Sequence, residues 1–289
     1  GRQSTPSMSN VRSGFPIAAS YRGWRVASAR GTVAVFMDPL DIVLLAAAAF
    51  AAGAINAVAG GGSLVSFPAL IALGYPSKVA NVTNTVALWP GYLGGSYGYR
   101  GELKRQRSTI IALTVPSVAG ALAGSAILLA TPESAFDAIV PFLIIFACAL
   151  MAFQDILSRW AQHHELAGGP EVGVPLFLHG SIFLLAVYGA YFGAGLGIMT
   201  LAVLGILLPD DIQHSNALKG LLSALINFVA VVYFALFGPV EWAPAVVMAI
   251  AALAGGYYGV GIARQLGRRW LRITVISYGL VVAAVLFVQ

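Results

Sequence analysis

The chain has 289 residues, of which 59% are hydrophobic and 9% charged, with a formal net charge of +5. Soluble domains carry about 25% charged residues, so a soluble fold of this composition would have little surface to show to water. The positive side chains fall in short segments between apolar runs, a distribution that fits membrane sidedness and argues against nucleic-acid binding.

Residues 1–36 contain Arg2, Arg12, Arg22, Arg25 and Arg30, no acidic residue and no sustained apolar run. They read as an N-terminal extension, transit-like or disordered or not native, with Met37 as the working start. From MDPLDIVLLAAAAF onward, apolar runs follow at 42–59, 110–130, 136–157, 176–192, 217–237, 243–263 and 271–288. Each approaches or reaches the roughly 20 residues that cross a bilayer. Alternating segments of about ten residues, which a membrane β-barrel would need, are not visible. The expected class is an all-α integral membrane protein, multi-pass in a bacterial-type inner membrane. Cys148 is the one cysteine and lies within an apolar run, so no intrachain disulfide can form.

The first run is interrupted by NAVAGGGSLVSFP, in which Gly60, Gly61, Gly62 and Ser63 precede a short apolar piece at 64–73. Glycine triplets weaken helices, and a piece this short covers only about half the hydrocarbon core. The second half repeats the plan. YFGAGLG is followed by an apolar piece at 198–208, then PDD, then HSNALKGLLSALINF, which aligns Asn216 with Asn84 of NVTNTVAL. Each half is therefore expected to open with a re-entrant hairpin broken at its glycines, followed by three full spans. The first repeat covers 37–158, a cytoplasmic linker 159–173, and the second repeat 174–289.

Loop charge bears on how the halves are oriented. Arg100, Lys104, Arg105 and Arg107 fill one loop of the first half, whereas its counterpart at 238–241 has no basic residue. The next loop, at 131–134, has none, whereas its counterpart carries Arg264, Arg268, Arg269 and Arg272. The bias flips, so the halves are expected to be inverted repeats, an architecture of secondary transporters.

The segment GAINAVAGGGSLVSFPALIALGYPSKVANVTNTVALWPGYLGGSYGYR, with YFGAGLG and NALKGLLSALINF, resembles the TauE/SafE sulfite exporter family. The resemblance runs from about residue 41 to the C-terminus. It implies a membrane transporter of small anions, with sulfite, sulfonates and related organosulfur or carboxylate compounds as substrate classes. The second break reads GAGLG where the first is an unbroken triplet.

Candidate substrate-binding residues follow from membrane physics. Broken backbone at membrane depth must be buried in protein or face water. A half-helix that starts at such a break aims N–H groups and a positive dipole end at any anion. That reasoning selects Gly60, Gly61, Gly62 and Ser63 in the first break and Gly195, beside Gly193 and Gly197, in the second. Close helix packing through small residues is the alternative for the same glycines. Lys219 lies about 14 Å into its span, among Leu218, Leu221 and Leu222. An ammonium there needs a partner, either an anionic substrate or a structural one, unless it snorkels. Asn84, Thr85 and Asn216 add neutral donors near the expected pseudo-two-fold axis. Asn56 and Asn227 read instead as glue between helices. His214 is a possible proton-coupling residue. Asp210 and Asp211 suit helix capping.

No cofactor is expected, and His163 and His164 lack the spaced partners a metal site needs. An intramembrane enzyme is disfavoured, because Cys148 has no neighbouring histidine and neither HExxH nor paired membrane aspartates occur. The expected function is secondary transport of a small anion by alternating access, with an anion channel on the same architecture as the alternative. Its partners would be the anion, the lipid bilayer and H+ or Na+ as a coupling ion.

Overall fold

The computed structural model describes residues 26–27, 34–35, 38–58, 61–98, 100–165, 174–208, 212–266 and 268–288. The chain divides into two compact units, Gly1–Met37 and Asp38–Gln289. In the first, β1 (Val26–Ala27) pairs antiparallel with β2 (Ala34–Val35), Val26 standing opposite Val35. The rest of the expected extension lies outside the described residues.

Every described element of the second unit is helical. In chain order they are α1 (Pro39–Val58), α2 (Ser63–Ala72), α3 (Ser77–Gly98), α4 (Arg100–Arg105), α5 (Arg107–Ala130) and α6 (Glu133–Glu165). They continue with α7 (Leu176–Tyr191), α8 (Leu196–Leu207), α9 (Ile212–Phe237), α10 (Trp242–Leu266) and α11 (Arg268–Val288). Four segments, Pro39–Asn56, Arg107–Ala130, Glu133–Ile156 and Gln213–Phe237, are long and apolar enough to cross a membrane. Two details differ from the sequence reading. The basic segment before α5 is itself a short helix, α4, and α6 continues as helix into the expected linker as far as Glu165.

Burial is arranged for an apolar surrounding. Val115, Phe142, Leu184, Leu236 and Ile250 point outward, while Ser66, Asn81, Thr83, Asn84 and Thr200 are buried. A soluble protein would reverse that distribution, because an exposed apolar belt of this extent aggregates in water.

The halves interlock. Helix α1 packs on α10, and α5 packs on α7. Glycines permit the approach: a Cβ on Gly53 would stand 2.1 Å from the Ala252 carbonyl oxygen, and one on Gly255 would stand 2.0 Å from that of Phe50. Gly120 meets the Phe183 carbonyl and Gly124 the Val187 carbonyl in the same way. Contacts that advance four residues on both helices mean that α5 and α7 run parallel.

If α1, α2, α3, α5 and α6 are exchanged with α7, α8, α9, α10 and α11, the main pairings map onto each other. The pair α1–α10 becomes α7–α5, α3–α10 becomes α9–α5, and α6–α8 becomes α11–α2. Helices α3 and α9 cross with Trp89 at the Ala224 carbonyl and Val82 at Gly238, hence antiparallel. Helices α6 and α11 meet through Asp155–Arg272, Cys148–Gly279 and Phe142–Phe287, again antiparallel.

Contacts between helix ends sort the turns into two groups. At one end Lys78 Nζ donates to the carbonyls of Thr131 and Leu129, completing the C-terminus of α5 with a cation where the helix dipole favours one. The Glu241 N–H donates to Thr83 Oγ1 at 3.0 Å at the same end. At the other end Gln106 Nε2 donates to the His214 carbonyl at 3.0 Å, and Arg272 pairs with Asp155 at 2.6 Å.

Candidate functional site

Both glycine breaks depend on left-handed backbone. Gly61 has φ 87°, Gly193 φ 78° and Gly195 φ 82°, values that side chains with a Cβ adopt only under strain. The chain turns there and restarts as a short helix: α2 has 10 residues and α8 has 12. Spans of that length reach about 15–18 Å.

The first break is closed by its own neighbour. Asn56, near the end of α1, accepts the Gly62 N–H at 2.7 Å through Oδ1. Leu64 N–H donates to the Gly61 carbonyl, and Val65 and Ser66 donate to that of Gly62. The bond runs from α1 to the residue that precedes α2 and so ties the two helices at their turn. Asn227, by contrast, bonds within its own helix, donating Nδ2 to the Ser223 carbonyl. Gly60 lies outside the described residues, and Ser63 opens α2 half-buried.

The second break is held by different partners. Tyr188 closes one side by donating Oη to the Ala194 carbonyl at 2.6 Å. Leu196 N–H donates to the Gly193 carbonyl, and Ile198 and Met199 donate to that of Gly195. The Gly197 amide has no backbone acceptor among the described residues. Opposite it stands Lys219: a Cβ on Gly197 would lie 3.8 Å from Lys219 Cδ and 4.0 Å from Cε. Lys219 Nζ donates to Asn216 Oδ1 at 3.3 Å, one turn earlier on α9. Lys219 and Asn216 on α9 thus stand beside Gly197 at the start of α8, whereas Gly195 lies against Leu150 and Ala147 of α6.

The polar residues of α3 divide. Asn84 accepts from Ser66 Oγ at 2.6 Å, tying α3 to the half-helix α2. Asn81 donates Nδ2 to the Tyr191 carbonyl at 2.8 Å and so reaches the second break from the first half. Thr85 donates back to the Asn81 carbonyl within its own helix. The His214 side chain is half-buried, and its carbonyl receives Gln106.

The two breaks converge. Phe67 of α2 stacks edge-on against Phe192 beside the second break, their centroids 5.5 Å apart. One turn of α6 serves both: Met151 lies against Gly61, while Leu150 and Ala147 lie against Gly195. Ser66, Tyr188 and Gln106 were missed by sequence reasoning. A serine, a tyrosine and a glutamine inside apolar runs carry no pattern until their partners are placed. Asp210 and Asp211 lie outside the described residues, as do the side chains of His163 and His164. Among the described residues no three His, Cys, Asp or Glu side chains group as a metal site.

Comparison with known proteins identifies the family. The family model described as sulfite exporter TauE/SafE matches residues 44–286. A Sinorhizobium protein named "Probable membrane transporter protein ORF9" is 28% identical over 254 residues, covering 83% of this chain and 91% of its own. A Haemophilus influenzae "Probable membrane transporter protein" is 25% identical, covering 84% and 93% respectively. The Escherichia coli K12 "Probable membrane transporter protein YfcA" is 26% identical, covering 86% and 90%. No solved structure matches. The chain is a member of the TauE/SafE sulfite exporter family of membrane transporters.

Proposed function

We propose that the protein is a secondary transporter of a small anion, of the sulfite, sulfonate or related organosulfur or carboxylate class. The anion binds where Lys219 faces the start of α8. The observation that carries this reading is the Gly197–Lys219 juxtaposition: a cation at a half-helix N-terminus whose Gly197 amide has no backbone acceptor among the described residues. Backbone donors, the positive helix end and an ammonium together suit an oxyanion. Lys219 Nζ donates to Asn216 Oδ1, which fixes the position of the ammonium one turn along α9. The first-half residues Gly61, Gly62, Ser63, Asn84 and Thr85 form the opposing wall.

The transport mode is alternating access between inverted repeats, each opening with a re-entrant hairpin. The antiparallel pairs α3–α9 and α6–α11 support it, since equivalent helices of inverted halves must run in opposite directions. The short half-helices α2 and α8 support the hairpins. Positive-inside bias then puts Lys104, Arg105 and Arg107, with the start of α9, on the cytoplasmic side of a bacterial-type inner membrane. His214 sits at that mouth, where it can exchange a proton if the coupling ion is H+.

The test is flux of radiolabelled sulfite or a simple sulfonate into proteoliposomes. The wild-type protein is expected to saturate and to respond to an imposed proton or sodium gradient. Lys219→Ala is expected to lose flux while keeping its detergent melting profile. Normal flux in that variant overturns the anion site, and ohmic single-channel current overturns the transporter in favour of a channel.

A further inference from the structure

A hydroxyl inside an apolar helix ordinarily returns its proton to the carbonyl four residues back. Thr85, Thr114, Ser117, Thr131, Ser181 and Thr200 all do so here. Ser223 does not. Its residue is 3% exposed, and its Oγ has no hydrogen-bond partner among the described residues. Leaving such a group unmade is costly, so an unpartnered buried hydroxyl calls for an explanation.

Its place on α9 supplies one. At 100° per residue, Ser223 is rotated about 40° from Lys219 and lies roughly 6 Å further along the axis. Lys219 marks the side of α9 that faces the start of α8, through Gly197. Ala224 marks the side that faces α3, since its carbonyl accepts Trp89 Nε1. Ser223 falls between those two sides and closer to that of Lys219. Asn216 and Asn227 share this sector, so α9 carries a stripe of Asn216, Lys219, Ser223 and Asn227. On the adjoining flank of the same helix, Leu218 and Leu222 join the apolar cluster with Leu113, Leu178, Ile182 and Leu204.

We infer that the Ser223 hydroxyl is a second anion contact, one turn beyond Lys219, which donates to the substrate as it moves along α9 towards the α3 crossing. The inference rests on the anion-transport reading of Lys219. A neutral donor one turn from the ammonium accepts an anion without trapping it. Ser125 is the internal comparison. It is equally buried and also unpartnered, but it lies on α5 outside this stripe.

The experiment is cysteine accessibility in the full chain, with Cys148→Ala as background. Ser223→Cys and Ser125→Cys are each treated in proteoliposomes with the anionic reagent 2-sulfonatoethyl methanethiosulfonate and read by intact mass. Ser223→Cys is expected to react roughly tenfold faster or more, with labelling slowed by excess ethanesulfonate. Equal rates, or no labelling at 223, overturn the inference. Ser223→Ala is expected to raise the KM for flux roughly tenfold, as loss of one hydrogen bond to a charged group would, and Ser223→Thr to restore it. Should Ser223→Cys not fold, an unchanged KM in Ser223→Ala overturns the inference by itself. The two readings fail separately. Labelling at 223 with normal flux in Lys219→Ala removes the Lys219 site but keeps the path. Lost flux in Lys219→Ala without labelling at 223 does the reverse.

Discussion

Asn56 Oδ1 accepts the Gly62 N–H at 2.7 Å, so a single amide side chain closes the turn between α1 and α2. With that acceptor removed, the Gly62 amide is left buried against the Ala52 backbone, where water cannot easily replace it. Asn56→Ala is expected to cost about 1–3 kcal/mol, the usual penalty for an orphaned buried donor. Ser117→Ala is the control. Its hydroxyl returns to the Leu113 carbonyl, which is already in helix-backbone register, so its removal is expected to cost under about 1 kcal/mol. Thermal unfolding in detergent would separate the two, and equal shifts would refute the capping role.

The interlocking of the halves predicts a sharp division among glycines. Gly53, Gly124 and Gly255 have carbonyl oxygens within 2.2 Å of a would-be Cβ, so alanine there must push two helix backbones apart. Each substitution is expected to destabilise by at least about 1–3 kcal/mol. Gly101 and Gly180 meet nothing within 4 Å and lie in helices. Alanine at these two is expected to be neutral or to stabilise by up to about 1 kcal/mol, through helix propensity. Melting temperatures of the five variants would check the ordering.

The breaks and Lys219 were legible in the sequence because both violate the apolar pattern around them. Three glycines in a row and a lysine among leucines have few physical reasons to be there. The packing of α1 on α10 and of α5 on α7 was not legible from hydropathy, which says that a helix is buried but not against what. The signal existed in the Gly120–Gly124 spacing, but small residues four apart do not name their partner helix. The partner of Asn56 was not legible for a related reason. A mid-membrane amide can serve a neighbouring helix or its own chain, and only the position of the Gly62 amide decides between them.

Tyr75, in the turn between α2 and α3, predicts a loss of stability at high pH. Burial raises its phenol above the ordinary value of 10.0, and the carboxylates of Glu241 and Asp41 push it further the same way. A raised pKa in the folded state means that folding favours the protonated phenol. Its contribution is constant below pH 10.0 and declines as pH rises from there through the folded value. Tyr75→Phe is expected to flatten the decline of melting temperature above that pH. An unchanged alkaline slope would count against it.

Gly197 separates the binding role of the second break from its structural role. Its φ is not in the left-handed region, and a Cβ there would make only ordinary contact, 3.8 Å from Lys219 Cδ. Gly197→Ala should therefore fold as the parent does, with stability within about 1 kcal/mol. The added methyl nevertheless fills the gap between the α8 amide and the lysine stem, where an anion must sit to reach both. Ligand-induced thermal stabilisation by sulfite or ethanesulfonate is expected to weaken strongly in this variant, because that shift reports affinity directly. Gly195→Ala is the contrasting case. With φ 82° it forces a Cβ into left-handed backbone and meets Leu150 at 3.1 Å, so it is expected to lose stability with or without ligand. If Gly197→Ala retained the full ligand shift, the glycine at the head of α8 would be there for helix packing alone.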